Sequence, residues 1–231
     1  HFAVAEKNEN IWIAQRQGRA KNSNDLTQPA ILKMMAMGGE GSIIDRLKQL
    51  HIVPLTISYE YDPCDYLKAR EYQLRRDVPY WKKTAEDDME SMLVGIKGFK
   101  GHIFYRCAPC IDEWLDTVDA EQPKNKLFDE IAAHIDREIH SNYELYPCNY
   151  VALDMIQDTK VYEEYYTSED YQKFDEYING QIEKIDIENR DDHFLRICLL
   201  TQYAYPAKNY IAASSENGRF KSLLNRLTFK K

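Results

Sequence analysis

Asn10-Ile11-Trp12-Ile13-Ala14-Gln15-Arg16-Gln17-Gly18-Arg19-Ala20-Lys21-Asn22-Ser23-Asn24-Asp25 joins an apolar run to a cationic loop. The run Ile11 to Ala14 predicts a short buried strand. Arg16, Arg19 and Lys21 then crowd around Gly18 at the strand's end. Glycine lets backbone approach a ligand without a Cβ in the way, and arginine offers a planar fork of donors matched to phosphate oxygens. In open α/β sheets ligands gather outside the carboxyl ends of strands, which is where these cations are expected. A solvated basic loop after an edge strand is the plainer alternative.

Downstream, Pro29 followed by Ile31, Leu32, Met34 and Met35 and closed by Gly38-Gly39 predicts a helix with proline at its front and glycine at its stop. Gly38-Gly39-Glu40-Gly41-Ser42 lacks the Gly-Lys-Ser/Thr ending of a phosphate loop. Ser42 with Asp45 is a capping box for a second helix bearing Ile43, Ile44, Leu47 and Leu50. Ile52 to Ser58 is β-branched and predicts a strand, with Pro54 confined to its start, a bulge or an edge. Tyr59 to Pro63 follows at the strand's carboxyl end, where Tyr59 can reach a ligand; the same residues also suit a turn closed by Asp62-Pro63.

Helices are expected from Asp65 to about Arg76 and from about Thr84 to Lys97, and a strand over Gly101 to Arg106. Cys107-Ala108-Pro109-Cys110 then leads into a short helix around Ile111 to Leu115. A strand, a Cys-x-Pro-Cys turn and a helix is how thioredoxin-like proteins lower a cysteine pKa, so a redox protein using Cys107 and Cys110 is an alternative function. Zinc would need another close ligand pair, which Cys148 and Cys198 do not offer by spacing, and no metal is expected.

From Pro123 onward Leu127, Phe128, Ile131, Ala132, Ile135 and Ile139 recur at three and four, one long amphipathic helix. Beyond it lies an acidic block rich in tyrosine, with further helices expected at Phe194 to Leu200 and Phe220 to Leu227. A non-catalytic interaction module built on this block is a third function class. The fold class is α/β, a sheet with flanking helices followed by a helical carboxyl-terminal region. Two domains are expected, 1–115 and 116–231, with the break near 111–123 where charge and periodicity change together.

Charge limits the partners. Residues 111–200 carry 8 basic and 23 acidic groups, which argues against nucleic acid, whose binding depends on neutralising phosphates. Residues 201–231 carry 6 basic and 1 acidic group, an excess open to a peripheral contact with an anionic membrane or to plain solvation. No run reaches the length needed to cross a bilayer. Five cysteines in no regular framework point to a reducing, cytoplasmic setting. The chain opens on His1 and is expected to be part of a longer protein.

Gln15 to Lys21, with Asn24-Asp25 and a helix after it, resembles the third motif of the glycerol-phosphate and 1-acylglycerol-3-phosphate acyltransferases, commonly Phe-Pro-Glu-Gly-Thr-Arg-Ser. It looks most like the divergent branch from Bacteroides-type bacteria. Gly18 falls on the motif glycine and Gln17 on its glutamate, while the arginine is displaced by one position to Arg19. Ile52 to Ser58 resembles the family's fourth motif, a strand carrying Val-Pro. The resemblance covers roughly the first sixty residues.

It implies acyl transfer from acyl-CoA or acyl carrier protein to a lysophospholipid hydroxyl, with no cofactor, in the cytoplasm and peripherally at the membrane's inner face. Arg16, Gly18, Arg19 and Lys21 would bind the acceptor phosphate, and Gln17, Pro54 and Tyr59 would line its pocket. The family's catalytic histidine, followed five positions later by aspartate, is missing. At that offset His1, His51, His102, His134, His140 and His193 meet Glu6, Thr56, Cys107, Ile139, Leu145 and Cys198. No catalytic residue is therefore assigned, and this chain is expected to be inactive by itself.

Overall fold

The computed structural model describes residues 1–16 and 20–215. After a π-helical turn at Phe2–Glu6 come α1 (Pro29–Met35), α2 (Ile43–Lys48), β1 (Leu55–Tyr59), α3 (Asp65–Asp77), α4 (Ala85–Lys97), β2 (Ile103–Cys107) and α5 (Asp112–Leu115). Then follow α6 (Lys124–Ser141), α7 (Pro147–Gln157), a 3-10 turn at Glu163–Tyr165, α8 (Ser168–Glu183) and α9 (Asp192–Ser215). The protein is mixed α/β and mainly helical, and β1 pairs with β2 in a two-stranded antiparallel sheet.

Most local signals produce what they predict. Proline opens α1, and Ser42 caps α2 in a reciprocal box with Asp45. Thr84 caps α4 in the same way with Asp87. Pro54 sits just before β1, where its missing donor costs the ladder nothing. Among the described residues the sheet has only these two strands, however, and the strand expected over Ile11 to Ala14 is absent. Ile11, Trp12 and Ile13 are exposed, Trp12 at 72%, because a strand holds its shape only beside a partner and the run has none among the described residues. The helix expected at 194–200 extends over the whole of α9; the one expected at 220–227 lies outside the described residues.

Two compact units divide the chain. One comprises the described residues up to Arg16, Asp25–Thr56 and Tyr105–Tyr143. Its spine is α6, whose Leu127, Phe128, Ile131, Ala132, Ile135 and Ile139 form a buried stripe at helical spacing. Leu32 of α1, Leu47 of α2 and Leu115 of α5 join that stripe in one core. His134 of α6 is covered by Trp114, the rings stacked with centroids 3.7 Å apart. Burial and the Arg137 charge pull its pKa down to about 4.

The other unit comprises Ala20–Asn24, Ile57–Phe104 and the described residues from Glu144 on. Helices α7, α8 and α9 pack around Val151, Leu153, Phe174, Ile178, Leu195 and Leu199, with α3 against α9. Two carboxylates are built into this core. Asp154 accepts hydrogen bonds from the backbone N–H groups of Val161 and Tyr162 and from the hydroxyls of Thr159 and Tyr166, fixing the connection after α7. Asp65 is fully buried and accepts from the Tyr177 and Tyr203 hydroxyls at 2.7 and 2.6 Å. Burial outweighs those two bonds and lifts its pKa to about 6.

Two stability measurements check this packing. Ile131→Ala removes a fully buried branched side chain from α6 and is expected to cost about 2–5 kcal/mol in chemical denaturation. Asp65 binds its proton more tightly folded than unfolded, so its contribution to stability falls as pH rises from about 4 through about 6. The penalty of Asp65→Asn is therefore expected to be smaller at pH 7.5 than at pH 4.5, by about 2 kcal/mol. An equal penalty at both pH values contradicts the buried-acid account.

Candidate functional site

The cationic loop is fastened at its base to one helix. Asp136 and His140 lie one turn apart on α6 and face the segment that leaves and returns around Arg16. The Asp136 Oδ1 accepts the Thr27 backbone N–H at 2.8 Å, the Thr27 hydroxyl at 2.6 Å and the Gln15 amide at 3.4 Å. Gln28 N–H bonds back to the Gln15 carbonyl at 2.9 Å and closes the neck. His140 Nε2 lies 3.3 Å from the Asp25 carbonyl; a carbonyl only accepts, so this nitrogen carries the proton. Burial pushes the His140 pKa down and the Asp136 pKa up, so both groups resist charge while their hydrogen bonds hold the loop.

Within that loop Arg16 is placed with donor capacity to spare. Its Nη1 stands 3.9 Å from Asp25 Oδ1, and its Nε is buried with no hydrogen-bond partner among the described residues. Gln17, Gly18 and Arg19 lie outside the described residues. Lys21 belongs to the other unit and is ion-paired there with Glu71. Burial, with Arg75 and Lys83 nearby, lowers its pKa to about 8. Glu71 also takes Arg75 at 2.8 Å.

Of the pocket residues expected on the strand, Pro54 is buried and its carbonyl accepts the Ala108 N–H at 2.9 Å. Tyr59 ends β1 and is exposed. Burial alternates along this stretch with the period of a pleat. Thr56 faces inward, its hydroxyl donating to the Ile139 carbonyl at 2.9 Å. A cleft of about 220 Å³ lies between α2 and the start of α6, beside Ser42, Glu121 and Lys124. It is below the size usual for a small-molecule site.

The cysteine turn departs from the thioredoxin layout. Its helix α5 is a single turn of four residues beginning after Ile111, too short to build a dipole that would stabilise a thiolate. Both Cys107 and Cys110 are free thiols, and burial, aided by the adjacent Asp112 carboxylate, raises the Cys110 pKa. The turn does have a neighbour that spacing alone did not reveal. Ile111 N–H bonds to the Ile52 carbonyl at 3.0 Å, which brings His51 to Asp112 and Cys110.

On the second unit, α4 buries none of its residues. Met89, Met92, Leu93 and Ile96 recur at i, i+3, i+4 and i+7 and are all exposed, Ile96 at 75%. Among the described residues no helix is long and apolar enough to cross a membrane. No protein-family model, curated protein or solved structure matches the chain.

If Asp136 holds the neck of the loop, Thr27→Val removes its hydroxyl bond at nearly constant volume. A hydrogen bond to a charged acceptor contributes about 1.5–3 kcal/mol. The variant is expected to be cut faster by protease between residues 16 and 27, with little change elsewhere. Unchanged cleavage there means the neck is held by other contacts.

Proposed function

We propose that this chain is the carboxyl-terminal part of a lysophospholipid-type acyltransferase. The whole enzyme moves an acyl group from acyl-CoA or acyl carrier protein to the hydroxyl of a lysophosphatidate-like glycerol phosphate. Arg16 and Arg19 bind the acceptor phosphate, and Gly18 allows the phosphate close to the backbone. The observation that carries this reading is the buried Nε of Arg16, which has no hydrogen-bond partner among the described residues. A buried donor without an acceptor is costly, and a phosphate oxygen is the acceptor its planar fork suits. Lys21, already paired with Glu71, is not needed for this role.

Two further features support the reading. Ile11, Trp12 and Ile13 are exposed just before the loop, as expected of a strand that finds its sheet neighbours only in the whole enzyme. The exposed apolar face of α4 suits peripheral contact with the bilayer that holds a lysophospholipid. Pro54 and Tyr59 remain the residues proposed to shape the acceptor pocket. The proton of the acceptor hydroxyl needs a base, and no histidine here has an aspartate five positions on. The chain alone is therefore expected to bind the acceptor without turning it over.

Calorimetric titration with glycerol 3-phosphate, beside an Arg16→Ala, Arg19→Ala double variant, tests the site. Loss of charge-assisted contacts worth about 1.5–3 kcal/mol each is expected to weaken binding at least tenfold. Equal binding by both proteins places the phosphate elsewhere, and acyl transfer by the chain alone overturns the assignment of a missing base. Met92→Glu with Ile96→Glu is expected to reduce sedimentation with anionic vesicles. Unchanged sedimentation removes α4 from the membrane contact.

A further inference from the structure

Within the first unit, and independently of the acyltransferase reading, three side chains of metal-binding type converge. His51, Cys110 and Asp112 each place one ligating atom within 4.8 Å of the other two. His51 Nδ1 lies 2.6 Å from Asp112 Oδ2. The convergence is imposed by backbone. Ala108 N–H to the Pro54 carbonyl and Ile111 N–H to the Ile52 carbonyl, at 2.9 and 3.0 Å, fasten the cysteine turn beside the residues that follow His51.

One observation separates this cluster from an ordinary surface ion pair. The Asp112 Oδ1 is buried and has no hydrogen-bond partner among the described residues, although its sister oxygen engages His51. A carboxylate oxygen in that condition lacks a cation or a donor. His51 adopts a left-handed backbone with φ of 48°, a conformation uncommon outside glycine but enriched for histidine as for asparagine and aspartate. In that conformation its ring meets Asp112.

We propose that His51, Cys110 and Asp112 form a zinc(II) site with one coordination position left to water. The donor set selects the metal class. A thiolate and an imidazole beside one carboxylate suit zinc, whereas magnesium and calcium take oxygen ligands. Ligand atoms around one zinc sit about 3–4 Å apart given bond lengths of about 2.0–2.3 Å, so binding opens the 2.6 Å His51–Asp112 hydrogen bond and draws any pair near the 4.8 Å limit together by about 1 Å. His51 is largely exposed, with 72% of its side chain open, which gives the ion a path from solvent and leaves room for water as the fourth ligand. Lys48 lies close enough to sense Asp112 and is occupied by Asp116. Binding forms a zinc–sulfur bond at Cys110 and releases the thiol proton to solvent.

The test is calorimetric titration of the reduced chain with zinc chloride, repeated in buffers of different ionisation enthalpy, with cobalt(II) as a spectroscopic probe. One zinc per chain, about one proton released per zinc, and a thiolate-to-cobalt charge-transfer band are expected. His51→Asn keeps an exposed residue that tolerates the left-handed backbone, so it is expected to melt no lower than the parent protein. It and Cys110→Ser are each expected to weaken zinc at least about 100-fold, because even outer-shell losses cost 10–100-fold. Cys107→Ser is expected to bind within about threefold of the parent. Absence of zinc binding at micromolar concentration, or parent-like binding by His51→Asn, overturns the proposal. Should Cys110→Ser fail to fold, His51→Asn and the cobalt spectrum still decide the question.

Discussion

A carboxylate taken out of water must be met by donors or by a cation, and Asp136 is where the first unit satisfies that constraint. Thr27 supplies two donors and Gln15 a third, so the otherwise irregular chain on either side of Arg16 is pinned to α6. The same helix turns its apolar stripe into the core. Packing fixes α6, α6 fixes Asp136, and Asp136 fixes the neck of the loop. The orientation of Arg16 is thus a consequence of a hydrophobic helix a hundred residues further along the chain.

The second unit uses the same device with different donors. Asp65 and Asp154 are each almost wholly buried, one met by two tyrosine hydroxyls and the other by a ring of backbone and hydroxyl donors. This gives a structural role to part of the tyrosine abundance. Tyr177 and Tyr203 pack against each other's rings and against Phe174 while turning their hydroxyls to Asp65. Each ring thereby buries apolar area and still satisfies its polar tip. The choice carries a cost at neutral pH, since the burial that shapes the core also opposes the charge on Asp65.

How much of this could be read from the residues depends on how local the signal is. The capping box at Ser42, the proline opening α1 and the stripe of α6 are set within one or two helical turns, and all appear where expected. The run Ile11 to Ala14 has the composition of a strand and none of its structure, because pairing belongs to two segments and composition to one. The partners of Asp136 lie 109 and 121 residues away, and no periodicity connects them. His51 escaped a search by spacing for the same reason. Its nearness to Cys110 arises from the pairing of 52–54 with 108–111, which neither segment announces alone.

The loop also shows why counting cations overstates an anion site. Arg16, Arg19 and Lys21 are equivalent in the sequence, yet Lys21 already has Glu71 as its counter-ion in the second unit. Arg16 reaches Asp25 only at 3.9 Å, and its buried Nε has no hydrogen-bond partner among the described residues. What marks a side chain as available for a ligand is therefore unmet hydrogen-bond capacity, since charge already paired contributes little to a new partner. The same criterion singles out the Oδ1 of Asp112, the buried carboxylate oxygen without a hydrogen-bond partner among the described residues. Among the described residues neither atom has a hydrogen-bond partner. A phosphate oxygen is the acceptor proposed for the guanidinium, and a thiophilic metal the cation proposed for the carboxylate beside Cys110.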